Sequence, residues 1–323
     1  MRFSRLGIFV LLLATVSLGT SCGFYNRIMA RKHLVDGSQA YKNRQFDKAE
    51  ELFKEAIAID PQGETLEGRT AQLFLARTLH SEFIGNRQRT DLAEQAIAEY
   101  KKALAVNKDD QSSYKAVASL LENLQRTDEW QAWVTERSQD TSILPQHRAD
   151  ALVSLAAKQN TCANDITDTD ATKKTVTKDG KQAFQFVKPA DPNEFTKLRG
   201  CIQKGTELID QAMALEPDAA KTAGSLDVKG MSDADLRAKS DLLRVFESAR
   251  SYKASLLIQA MRLAEMEGRT ADQERLKDEA ETARENFVAL SEKVKEIQAE
   301  IDARIAAKAA QESANAAGGN ANQ

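Results

Sequence analysis

The chain has 323 residues, 42% of them hydrophobic and 29% charged, with a formal net charge of −3. That is enough apolar material for a sizeable folded body. Aromatics at 6% and five prolines fit a helical protein better than a β-sandwich, and no basic stripe with interleaved aromatics points to nucleic acid. The N-terminus comes first in chain order. Arg2 and Arg5 precede an apolar run, Leu6–Leu18, and small residues lead from there to Cys22. That is the layout of a bacterial export signal. Three outcomes are open: acylation of Cys22 as in a lipoprotein, an uncleaved anchor over the uncharged Leu6–Tyr25, or cleavage after Ser21. Each predicts a chain outside the cytoplasm, on the periplasmic side of a bacterial membrane. The first two tether it there through its N-terminus.

The stretch from His33 to Pro61 predicts two antiparallel helices with a turn at Asn43–Phe46. Gly37 and Ala49 are small where the paired helices must approach. Phe53 and Ala56 lie on a packing face, and Pro61 blocks continuation of the second helix. The spacing of Gly37, Ala49, Phe53 and Pro61 resembles the framework of a tetratricopeptide repeat, whose pattern runs W-x2-L-G-x2-Y, A-x3-F and P. His33, Asp36 and Ala40 depart from it. The resemblance implies an all-α solenoid of helical hairpins that binds other proteins and rarely does chemistry.

Register supplies further copies. Ala96, Tyr100 and Ala103 repeat the spacing of Ala49, Phe53 and Ala56, with a lengthened turn expected around Glu82–Asp91. Tyr114, Val117, Ala118 and Leu121, then Trp130 with Val134, form a third. A fourth begins after Pro145 and ends in a helix carrying Gly205, Ile209, Ala212 and Pro217. The solenoid is thus expected over residues 30–230, after an export signal or anchor at 1–22. An insertion at 163–200 splits the fourth copy, and its TVTKDGKQAFQF segment predicts a β-hairpin. Cys162 and Cys201 bound the insertion at the same turn, which invites a disulfide in an exported protein.

Ser232 opens a capping-box-like S-D-A-D before a long helix to about Glu267, and Gly268 makes a turn into a second long helix. Leu276, Ala280, Ala283, Phe287, Leu290, Val294, Ile297 and Ile301 form a heptad-like seam. Either this is a hairpin over 231–311 that caps the last repeat, or Val294–Ile301 extends beyond its partner and offers a homodimer contact. Residues 312–323 are expected to be a disordered tail.

No phosphate loop, nucleophile elbow or HExxH motif occurs, and His33, His80 and His147 lack metal-ligand spacing. The expectation is therefore a non-enzymatic protein with no metal and no cofactor. In tetratricopeptide proteins ligands lie along the face of the first helix of each pair. By resemblance that implies Leu34, Ser38, Tyr41 and Lys42, then Arg77 and His80, then Lys115, Ser119 and Glu122. Leu34 and Ser38 stand where the family's carboxylate clamp would need Lys and Asn. The expected function is a membrane-tethered scaffold or adaptor for a protein or peptide. A tetratricopeptide lipoprotein subunit of an outer-membrane assembly or pilus and secretion machine is the alternative. A ligand-binding or enzymatic use of the insertion is a third reading.

Overall fold

A computed structural model describes residues 24–178 and 180–319. Cys22, and with it the expected lipidation site, lies outside the described residues. Among the described residues the chain is all-α apart from one two-stranded hairpin. It divides into two compact units, one ending at Trp130 and the other starting at Gln131.

The described part of the first unit comprises helix α1, described over residues 24–42, followed by α2 (Phe46–Ile59), α3 (Leu66–Gly85), α4 (Thr90–Val106) and α5 (Gln111–Asn123). Its boundary falls inside α6 (Thr127–Gln139). Ala49, Phe53 and Ala56 are fully buried on one stripe of α2, as their three- and four-residue spacing requires. Gly37 of α1 meets that stripe: a methyl group added there would lie 2.7 Å from the Phe53 ring. Two turns repeat one solution. Arg44 and Gln125 both adopt φ of 58° and close a pair of backbone hydrogen bonds back onto the preceding helix. That is the left-handed termination which helices commonly use.

The link from α2 to α3 is held by side chains. The Asp60 carboxylate accepts from the backbone N–H of Glu64 (3.0 Å), the N–H of Thr65 (2.8 Å) and the Thr65 hydroxyl (2.6 Å). Thr65 in turn caps α3 through the Gly68 N–H. One expectation is corrected here. The residues assigned to a lengthened turn continue α3 as far as Gly85, leaving 86–89 between the helices. Leu79 and Phe83 are buried, so the added length carries its own apolar stripe and packs as helix.

In the second unit α7 (Pro145–Thr167) and α8 (Pro192–Ala214) pair as antiparallel helices, each with proline in its first turn. Strands β1 (Lys173–Lys178) and β2 (Lys181–Phe186) lie between them in sequence, antiparallel, with Lys173 opposite Phe186. The non-helical part of the insertion is thus shorter than 163–200, because α7 and α8 extend into it. Phe186 anchors the hairpin in a cluster with Ile166, Leu198, Cys201, Leu263 and Met266. Cys162 and Cys201 form the expected disulfide, with Cα atoms 6.1 Å apart, at the base of the insertion.

After the short helix α9 (Asp218–Lys221) come the long α10 (Asp233–Glu267) and α11 (Thr270–Gly319). Ser232 caps α10 through the Asp235 N–H, and Gly268 makes the turn at φ 72°. Gly205 of α8 lets α7 and α10 close in: a methyl group there would lie 2.7 Å from Leu256 and 3.1 Å from the Gln159 Cβ.

The dimerisation expectation is corrected by this packing. Leu290, Val294 and Ile297 are buried within the chain, because α10 runs back alongside α11 as far as Asp233, which pairs with Arg304 at 3.0 Å. The seam is therefore occupied. The tail expectation changes too, since α11 continues through residue 312 to Gly319. Three of the eight residues 312–319 are alanine, the best helix former.

Candidate functional site

Helices α1, α3 and α5 alternate with α2 and α4 along the first unit. Side chains join them across the face they share. The Tyr41 hydroxyl of α1 lies 3.0 Å from the Ser81 hydroxyl of α3, and Arg77 of α3 donates to the Ser112 hydroxyl of α5 at 3.3 Å. Phe74 sits between these two links. The Tyr41 ring meets it edge-on at 6.0 Å, and the Arg77 guanidinium stands 5.4 Å above it. On its other side Phe74 contacts Phe53 at 5.5 Å, so the face is fixed to the core of the repeat. The result is a half-buried aromatic step flanked by hydroxyls and a cation. Such a surface offers stacking, hydrogen bonds and charge-assisted contacts to a peptide.

The nine residues implied by the resemblance are placed in different ways. Tyr41 and Arg77 are brought together by Phe74. Lys42, Lys115, Ser119 and Glu122 are exposed on α1 and α5. Ser38 instead spends its hydroxyl on the Leu34 carbonyl of its own helix (2.7 Å), and Leu34 is half-buried. His80 turns away from the shared face. Its Nδ1 lies 3.4 Å from the Tyr100 hydroxyl of α4, with the rings edge to face. Burial, helped by the charge of Arg87, pushes the His80 imidazole below its ordinary value, and burial pushes the Tyr100 phenol up. Both groups are therefore neutral near pH 7.

Phe74, Ser81 and Ser112 were not singled out from sequence. The signal was present in the spacing of Phe74, Arg77 and Ser81, which places all three on one helical face. Beside them Glu82 carries an unusual carboxyl. Burial raises it first, and the nearby Glu50 and Asp47 raise it further against Arg89 and Lys54.

The described residues hold no other convincing centre. A cavity of about 330 Å³ lies between the Asp60–Gly63 loop, α3 and the end of α4, and its charged residues Asp60, Arg69, Lys102 and Asp110 already have hydrogen-bond partners. A groove in the second unit, bordered by Met213, Leu257 and Ala283, has its cations paired. Arg250 donates to Glu216 at 2.7 Å and Lys253 to Asp210 at 2.6 Å. Among the described residues no group of three His, Cys, Asp or Glu side chains could hold a metal ion. No described helix is long and apolar enough to cross a membrane.

No family model matches the chain, and no curated protein matches it. Solved structures do. PilF of Pseudomonas aeruginosa is 17% identical over 85% of this chain and 99% of its own, with a TM-score of 0.33. A tetratricopeptide repeat protein of Parabacteroides merdae is 11% identical over 84% and 99%, at 0.30. Yeast Tom70 is 14% identical over 85% and 77%, at 0.28. At such scores the likeness bears on neither partner nor chemistry.

Proposed function

We propose that the chain is a non-enzymatic protein-binding scaffold, tethered to a membrane outside the cytoplasm, and that the shared face of α1, α3 and α5 receives its partner. One observation carries the reading. The Tyr41–Phe74–Arg77 step joins α1 to α3 and continues to α5 through the Ser112 hydroxyl, and the positions Lys42, Lys115, Ser119 and Glu122 on α1 and α5 are open to solvent. Aromatic and arginine side chains of this kind are the usual anchors of protein interfaces. The export-signal layout at Arg2–Cys22 supports the location and the tether.

A photo-crosslinking side chain at Ser119, compared with one at the exposed Lys48 on α2, tests the face in cells that make the protein. Discrete protein adducts at Ser119 and none at Lys48 are expected. Adducts at neither position, or equally at both, would overturn the assignment.

A further inference from the structure

Among the described residues twelve large hydrophobic side chains are exposed, and four of them crowd residues 24–35 of α1. Phe24 is 70% exposed, Tyr25 62%, Ile28 49% and Val35 58%. Scattered exposed apolar residues are ordinary, but a cluster is not. These are not scattered. On a helical period Phe24, Ile28 and Val35 share one face with Arg31, while Ala30, Gly37 and Ala40 are buried on the opposite side. Within α1 the charges are Arg27, Arg31, Lys32 and Lys42 against the single acid Asp36. Arg27 leans to Glu67 of α3 at 3.4 Å yet remains largely exposed. The outward face of α1 is therefore apolar with a basic border, the composition of helices that lie in a bilayer interface.

What covers that face follows from the chain that precedes it. Cys22 is two residues from Phe24, a span of at most about 7 Å. The apolar run ends at Leu18, a few residues earlier. A tether at either point holds the start of α1 at the lipid surface. There the stripe would otherwise remain in water beside a solvent that suits it.

We infer that α1 docks on the membrane through Phe24, Ile28 and Val35, with Arg31 and Lys32 against anionic lipid headgroups, so that the first unit is oriented as well as tethered. This rests on the tether proposed above. Ile28 and Val35 enter the headgroup and acyl boundary to a depth of about 5–10 Å. The basic residues add electrostatic attraction that a neutral surface lacks. The contact between Arg27 and Glu67 sets Arg27 of α1 beside the first turn of α3. Ile84, near the far end of α3 and 45% exposed, is consequently about 25 Å further along and serves as the contrast.

The test uses the full chain as cells process it, purified from membranes and reconstituted into vesicles of phosphatidylcholine with or without phosphatidylglycerol. Ile28→Trp and Ile84→Trp are compared with the unaltered chain, whose own tryptophan emission is subtracted. Lipids brominated high on the acyl chain should quench and blue-shift the tryptophan at 28 and leave that at 84 untouched. Adding Arg31→Gln should weaken docking on the anionic vesicles about fivefold, the effect of one basic group at such a surface, and change nothing on neutral ones. If the chain floats with the vesicles but both tryptophans remain unquenched, the docking inference fails and the tether stands. If the chain does not float, both fall. A blue shift at 28 without lipid, accompanied by intermolecular crosslinks, would assign the face to a second copy and overturn the inference.

Discussion

Gly37 lies beneath the Phe53 ring so closely that a single added carbon would sit 2.7 Å from it. The contact joins the two helices of the first pair, and Phe53 continues to Phe74 on the candidate binding face at 5.5 Å. Replacing Gly37 by Ala would ordinarily help a helix by up to about 1 kcal/mol. Here overpacking, typically about 1–3 kcal/mol, opposes that gain. Gly37→Ala should lower the denaturant midpoint, and Phe53→Leu in the same chain should restore part of it.

The same reasoning separates two glycines on α8. Gly205→Ala collides with Leu256 and Gln159, whereas Gly200 has nothing within 4 Å of the added group. Thermal unfolding should show Gly205→Ala destabilised and Gly200→Ala unchanged or more stable by several tenths of a kcal/mol. Equal effects would mean that α7, α8 and α10 do not meet at this point.

Arg44 and Gln125 hold a left-handed backbone that costs a residue with a Cβ about 1–2 kcal/mol. Glycine at either position should raise stability by roughly 1 kcal/mol, less its larger unfolded-state entropy. The gain is expected from each singly and additively from both. Gly268, already glycine in the equivalent turn, should lose stability on conversion to Ala.

Burial acting alone would raise the Asp60 carboxyl. Hydrogen bonds from the Thr65 hydroxyl, the Thr65 N–H and the Glu64 N–H nevertheless hold it below its ordinary value of 3.8. A depressed folded value contributes stability above the unfolded value and loses it as pH falls through the folded one. Acid unfolding should therefore show an Asp60-dependent loss of stability below pH 3.8. The Asp60→Asn variant should be weaker at neutral pH and lack that part of the profile.

The Cys162–Cys201 bridge closes a segment with a sequence separation of 39. In the chain-entropy account its removal costs about 3–4 kcal/mol. Cys162→Ala with Cys201→Ala should lower the unfolding temperature of the second unit and expose the β-hairpin to protease first. Transitions in the first unit should be unmoved.

Much of this architecture was legible because it is local. Gly37, Ala49, Phe53 and Ala56 announce a helix pair by spacing, and Ser232 and Gly268 mark where α10 begins and ends. Other features depended on partners far along the chain. Nothing near His80 indicates that it faces Tyr100, and the heptad seam at Val294 and Ile297 reads alike whether a second copy or α10 fills it. The mostly polar look of Glu82–Asp91 hid the extension of α3, since Phe83 within it and Leu79 just upstream carry the burial that keeps it helical. On the candidate face, Tyr41 and Arg77 followed from repeat position. Phe74, Ser81 and Ser112 became apparent only once the helices were side by side.

The last turns of α11 stand apart from the rest. Residues 309–315 are all exposed, past the ion pair between Lys308 and Asp233. No burial rewards order there, so alanine's intrinsic preference must supply it, and that preference weakens on warming. The rod should accordingly shorten from its free end as temperature climbs, shedding helical signal gradually and well before either compact unit melts.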